Sequence, residues 1–238
     1  NFKTNIVRGY YQVDLYSNWE DTTFNSYFFG YYEDDLKNQI NKLNNPFIFF
    51  DIGANQGLYT LLALKNKNCL KVYSFEPVKK TFSFLKKNIN ANYSNELINQ
   101  KCNIFKCAIS KFNEKKEIFI PKNSSGKASL SDSRKMEKSS KEIIDTVNND
   151  WLNKTCKIDK NCDIFLKIDV EGYEEIVISE LLITNFSKSI KYIIFEKHDD
   201  WDFISYSNIE NFLKEEGFNV ERLQRNSNKK YDLLCTRI

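Results

Sequence analysis

Residues 47–57, Phe-Ile-Phe-Phe-Asp-Ile-Gly-Ala-Asn-Gln-Gly, constrain the fold of this chain more than any other segment. They read as a buried strand running into a glycine turn and then a helix. From Pro46 onward the same alternation continues, short β-branched or aromatic runs giving way to longer helical patterns, which predicts an α/β domain with a mainly parallel sheet. Strands are expected at 47–52, 71–76, 103–109, 163–169, 191–196, 218–223 and 231–236, seven in all. Helices are expected at 57–65, 78–90, 174–182 and 207–216, the last stopped by Gly217. The last two strands are joined by residues 224–230, too few for a helical crossover, so they should form an antiparallel hairpin.

At 238 residues and 41% hydrophobic, the chain can bury one good-sized core. Residues 46–238 are assigned to that α/β domain and residues 1–45, rich in Tyr and Phe without a clean period before a helix-like stretch at 34–43, to an N-terminal cap. A Ser/Lys-rich stretch, 121–141, suits a polar surface loop or a substrate lid. No run approaches the roughly 20 apolar residues that span a bilayer. Lysine and arginine exceed the acids by only 35 to 32, too little for a nucleic-acid footprint, so no nucleic-acid partner is expected. Six cysteines without a CxxC, beside a single histidine, disfavour a zinc cluster and suggest reduced thiols of a cytoplasmic protein.

The chemistry gathers at the strand ends, where open parallel sheets bind ligands. Gly53 and Gly57 allow positive φ and close approach of a ligand to the backbone. Their spacing is GxxxG, with Asn55 where a dinucleotide fold carries the glycine that admits a pyrophosphate, which argues against NAD or FAD. The next strand ends at Glu76, followed by Pro77; an acceptor-only carboxylate there suits a ribose diol. Asp51 is placed to meet an ammonium group. A turn lacking a pyrophosphate cradle, an acid for an amine and an acid for a ribose together describe S-adenosylmethionine. On a purely structural reading, the glycines only shape the turn and Glu76 only caps the following helix.

The strings FDIGANQGLYTL, YSFEPVKKTFSFLKKNI, CAIS, LKIDVEGYE and IIFEKH, in this order and spacing, resemble the FkbM family of S-adenosylmethionine-dependent methyltransferases. The likeness runs from about residue 33 to the C-terminus, and LKIDVEGYE is its most specific string. It implies a class I methyltransferase (Rossmann-like) fold with seven strands and helices on both faces. It also implies O-methylation of a hydroxyl on a sugar, surface glycan or other natural product, with S-adenosylhomocysteine as product. By the same likeness Cys107 and Ala108 belong beside the adenine. No acid stands there to read the adenine amine, which leaves backbone atoms and Ser110.

An alcohol acceptor is weakly acidic and needs a base or a metal close to its oxygen. In the run from Lys167 to Gly172, strand alternation places Lys167, Asp169 and Glu171 on one side; a Lys167–Glu171 ion pair is the structural alternative to a catalytic role. His198, the only histidine, follows the fifth strand with Glu196 two residues before it, and imidazole titrates near neutrality. Metal-free catalysis is expected, with His198 as base, Asp169 positioning the hydroxyl or the cofactor amine, and Glu171 beside them. Asp169, Glu196 and His198 as ligands of Mg²⁺ or Mn²⁺, in the manner of catechol-type enzymes, is the alternative. A catalytically silent cofactor-binding module and an NAD-dependent oxidoreductase are the competing classes. The aromatic cap, residues 10–32, is expected to wall the acceptor pocket.

Overall fold

The computed structural model describes residues 5–31, 34–130, 139–159, 161–198, 206–223 and 230–238. A hairpin of β1 (Ile6–Arg8) and β2 (Asp14–Tyr16) and helices α1 (Thr22–Phe29) and α2 (Asp35–Lys42) come first. Next are β3 (Phe47–Ile52), α3 (Leu58–Lys65), β4 (Cys69–Phe75), α4 (Lys79–Asn92), α5 (Asn95–Lys101) and β5 (Cys102–Phe105). Short β6 (Ala108–Ile109) is followed by β7 (Lys115–Pro121), β8 (Ser139–Val147) and α6 (Asn149–Thr155). The chain ends with β9 (Asp163–Ile168), α7 (Glu174–Leu182), β10 (Ile190–His198), α8 (Tyr206–Glu215), β11 (Phe218–Arg222) and β12 (Lys230–Arg237).

Seven strands make the main sheet, in the order β11-β12-β10-β9-β3-β4-β5. From β10 to β5 all neighbours pair in parallel, whereas β12 runs antiparallel to both β10 and β11. Residues 224–229, the expected hairpin turn, lie outside the described residues.

β3 is buried at every position. Alternation sends Ile48, Phe50 and Ile52 into a core shared with α7 and α8, and Phe47 and Phe49 into a second core on the opposite face with α3 and α4. Helix α3 is buried all round from Leu58 to Leu64, unusual for a helix flanking a sheet. The reason is the N-terminal region, since Tyr11, Val13, Leu15, Leu36 and Ile40 pack in the same cluster as α3.

Two expectations need correction. The predicted strand at 103–109 is two strands, because β5 ends at Phe105 and β6 leaves the main sheet to pair in parallel with β8. The stretch 121–141 is also more ordered at its edges than a loop. β7 and β8 form an antiparallel ladder from Lys115↔Asp145 to Pro121↔Ser139, placing Ile118 and Ile144 in a small core with Val78. Residues 131–138 fall outside the described residues.

Candidate cofactor and active site

Three parallel strands, β9, β3 and β4, end at one rim, and there the backbone turns sharply. Gly53 has φ 73°, and a Cβ built on it would lie 1.9 Å from the Asp169 carbonyl oxygen. Only glycine fits there, and its absent side chain lets the β3 turn and the exit from β9 touch. Asn55 follows at φ 51°, with its Oδ1 accepting from the Gln56 N–H at 2.8 Å. Gly57, at φ 92°, opens α3, with Leu85 of α4 against it. After β9 a similar reversal occurs: Glu171 has φ 55° and Gly172 φ 98°. A left-handed glutamate is uncommon and costs on the order of 1–3 kcal/mol, so the surrounding structure must enforce it. Part of that enforcement comes from Glu174, whose carboxylate accepts from the Gly172 N–H at 3.0 Å and the Val170 N–H at 3.3 Å.

These turns border a cavity of about 650 Å³. Gly53, Asn55, Glu76, Pro77, Cys107, Ala108 and Asp169 all line it. The wall is mixed: Ile52, Phe75, Ile118 and Val177 are apolar, and the acids stand at separate points along it. Concave, apolar and supplied with a few directed polar groups, it suits a cofactor with a flat base, a ribose and an amino-acid end. Burial drives the Glu76 carboxyl up to about 7, against the opposing pull of N–H donors from Val78 and Asn55, each at 2.9 Å. One such bond per oxygen leaves each with acceptor capacity for a hydroxyl. Burial likewise raises the Cys107 thiol to about 12, which makes it an inert wall rather than a nucleophile.

Asp51 and Gly57, expected at the cofactor, stand behind the turn instead. Asp51 has no exposed surface; in the sheet register it lies between Ser74 and Lys167. Its carboxylate accepts from Thr60 Oγ1 at 2.7 Å and pairs with Lys167 Nζ at 3.2 Å. The ammonium that Asp51 meets thus belongs to this chain. Lys167 also donates to the Gly53 carbonyl at 2.7 Å and lies 3.9 Å from Asp169. Burial pulls its pKa down, but Asp51 and Asp169 outweigh that and leave it raised. Lys167 therefore pairs with Asp51, a partner the sequence did not suggest beside Glu171.

Asp169, Glu171 and Glu196 bring one carboxylate oxygen each to within 4.8 Å of one another, a donor set that could hold a hard divalent cation. Asp169 and Glu196 also line a neighbouring cavity of about 330 Å³ with Leu36, Tyr59, Lys167 and Asp232. Asp169 is common to both cavities. The backbone of His198 ends β10, paired with Lys230 of β12; its side chain lies outside the described residues.

The wall has further members. Tyr27 of α1, within the aromatic cap expected at the acceptor pocket, lines this larger cavity and not its smaller neighbour. A strap, residues 121–130, contributes Ser125, Gly126, Ala128 and Leu130. It is tied to α1 by Thr22 N–H to the Asn123 carbonyl and Gly126 N–H to Thr23 Oγ1, both 2.9 Å, and to the cofactor turn by Ser125 Oγ to Asn55 Oδ1 at 3.2 Å. Tyr173 closes the far end; its hydroxyl shares a 3.0 Å bond with Ser110 and accepts from Lys116 at 3.0 Å. Ser110, expected near adenine, is thereby engaged from within. A tyrosine inside LKIDVEGYE was the available signal for this member. The strap lies within the 121–141 stretch read as a surface loop or a substrate lid, and hydrogen bonds between distant segments fix its position.

The profile described as the methyltransferase FkbM domain matches residues 51–220. No curated protein matches the chain. Among solved structures, an FkbM methyltransferase from Methylobacillus flagellatus KT is 14% identical with a TM-score of 0.53, covering 80% of this chain and 43% of that longer one. TrmK from M. capricolum, in complex with S-adenosyl-homocysteine, is 16% identical with a TM-score of 0.49, covering 87% and 68%. A precorrin-6y C5,15-methyltransferase from Geobacter metallireducens GS-15 is 12% identical with a TM-score of 0.46, covering 85% and 86%.

Proposed function

Because this chain belongs to the FkbM methyltransferase family, and so to the S-adenosylmethionine-dependent methyltransferases, we infer that it methylates a hydroxyl of a sugar, surface glycan or other natural product. The observation that carries this reading is Asp169, a carboxylate on the wall of both the larger cavity and its smaller neighbour. The larger cavity takes the cofactor and the smaller one the acceptor. S-adenosylmethionine, when bound, supplies an electrophilic methyl group on a good leaving group. Glu76 accepts the ribose hydroxyls, the Gly53 turn gives the chain of the cofactor close backbone contact, and Cys107 and Ala108 flank the base. Asp169 orients the acceptor hydroxyl or the cofactor amine, and His198 removes the hydroxyl proton. A formal charge of +3 favours a small or glycan acceptor over nucleic acid.

Transfer of labelled methyl to candidate acceptors tests the reading. His198→Ala should lower turnover by about 10² to 10⁴ with S-adenosylhomocysteine affinity little changed, and Asp169→Asn should be similarly severe if that carboxylate orients the hydroxyl. Absence of transfer to every hydroxyl acceptor, with cofactor binding intact, would leave a silent binding module. One observation favours a second reading: the meeting of Asp169, Glu171 and Glu196 suits a metal-assisted mechanism. In that case exhaustive chelation abolishes activity and Mg²⁺ or Mn²⁺ restores it, whereas activity that survives chelation leaves the His198 route.

A further inference from the structure

A cleft of about 860 Å³ lies outside the cofactor cavity, between the first turns of α4, the strap, β8 and the N-terminal region. Ser125 lines both spaces, so the Asn55–Ser125 bridge is the partition between them. On the cleft side the wall includes Gln56. Its backbone is clamped, the N–H donating to Asn55 Oδ1 and the carbonyl accepting from Asn88 Nδ2, both at 2.8 Å. Its side chain is 1% exposed, and neither Nε2 nor Oε1 has a hydrogen-bond partner. Buried amides are almost always paired, and among the described residues nothing pairs with this one. Gln56 lines the cleft with its amide atoms beneath the surface, so pairing with a ligand there requires a turn about its terminal torsions.

The complement of a carboxamide is another amide, which returns an acceptor to the N–H and a donor to the oxygen. Charge narrows the choice further. Lys80 and Lys122 line the cleft together with Glu20, Asp21 and Glu142, and two of these acids already serve the backbone: Asp21 accepts from Thr23 N–H and Glu142 from Lys79 N–H. A wall of both signs gives an anion no advantage, which disfavours phosphates and nucleotides. The rest of the wall combines hydroxyls, such as Ser124 and Ser140, with an apolar patch from Phe84 and Ile120. Hydroxyl-bearing walls with an apolar patch suit sugar rings. We propose that this cleft binds an acetamido sugar, with Gln56 pairing to its amide.

The test needs no turnover, so it is independent of the methyl-transfer reading. N,N′-diacetylchitobiose and cellobiose are titrated calorimetrically into the full chain; the first should bind at least about tenfold more tightly, the discrimination expected for a buried amide pair. Gln56→Leu should reduce diacetylchitobiose to the cellobiose level. Should that variant fold poorly, Ser140→Trp, at an exposed position on the cleft wall, should block both sugars. Equal binding of the two disaccharides, no binding of either at millimolar concentration, or equally tight binding of N-acetylalanine methylamide would overturn the proposal. So would a Gln56→Leu protein that still discriminates.

Discussion

Asp51 and Glu76 lie at the ends of neighbouring parallel strands, both buried and both acids, yet their surroundings give them opposite uses. Asp51 meets Lys167 and Thr60, and its charge is answered inside the protein. Glu76 meets two backbone N–H groups and, among the described residues, no side-chain cation at bonding distance, and its carboxyl is pushed up to about 7. The difference teaches that the position of an acid on the rim of an α/β sheet does not decide whether it serves a ligand. The nearest cation separates the two: Asp51 is paired with Lys167 inside the fold, whereas Glu76 stands on the cavity wall with one backbone N–H on each oxygen.

That contrast breaks most sharply at Lys167. Lys167→Met leaves Asp51 buried beside no counter-charge and should cost about 3–5 kcal/mol in urea unfolding. Adding Asp51→Asn should recover much of the loss; a double variant as unstable as the single one would show that the pair is not the reason. At Glu76 the effect should fall on the ligand instead. Glu76→Gln swaps one acceptor oxygen for a donor and should weaken S-adenosylhomocysteine by about 1–3 kcal/mol, roughly tenfold to a hundredfold by calorimetry. Unchanged affinity would remove Glu76 from the ribose.

The pH dependence sharpens the contrast. Glu76 and Glu174 both have folded values near 7, above their ordinary 4.5. Their contribution to stability is therefore fully present below about pH 4.5 and lost as pH rises through 7. Cofactor binding has the opposite sign, since the ribose wants the ionised acceptor. S-adenosylhomocysteine affinity should climb between pH 6 and 7, by at most about tenfold per unit, and level off above; Glu76→Gln should flatten the curve. A wild-type affinity independent of pH over that range would contradict the assignment. Smallest is the strap: Ser125→Ala removes one neutral hydrogen bond to Asn55 and should cost about 0.5–1.5 kcal/mol, seen as a few-fold weaker cofactor. No change would mean that the bonds to α1, Thr22–Asn123 and Thr23–Gly126, hold the strap without it.

Legibility of the sequence tracked how local each signal was. The strand from Phe47 to Ile52, bounded by Pro46 and Gly53, and the helix from Glu174 to Leu182 were readable to the residue, because apolar runs and turn formers mark their ends. The seven residues of α5 were missed; Ser94, which caps them by accepting from Leu97 N–H, lies in a polar stretch that looks like a connection. The short runs in β7 and β8 were hidden by the lysines and serines around them. On the cavity wall, Glu76 and Asp169 were visible from strand-end position and Asn55 from the glycine turn. Asp51 was misjudged for a tertiary reason: the register of β9 against β3, unreadable from spacing, sets Lys167 directly beside it. Tyr27 and the strap reach the cavity only through contacts between segments far apart in the chain.

Those contacts have a kinetic consequence. The bond from Gly126 to Thr23 spans 103 residues, and the one from Ser125 to Asn55 spans 70. Closing loops of that length costs entropy before any contact repays it, and such closures come late in folding. The β3 turn also needs a distant partner, since the Lys167–Gly53 bond across it spans 114 residues, but that closure is repaid by the whole β3–β9 ladder, whereas the strap's is repaid by a few single bonds. During refolding the floor of the pocket should form with the central sheet and the roof in a later phase, so that S-adenosylhomocysteine added at early times finds an open trough and binds tightly only once residues 21–23 have captured the strap.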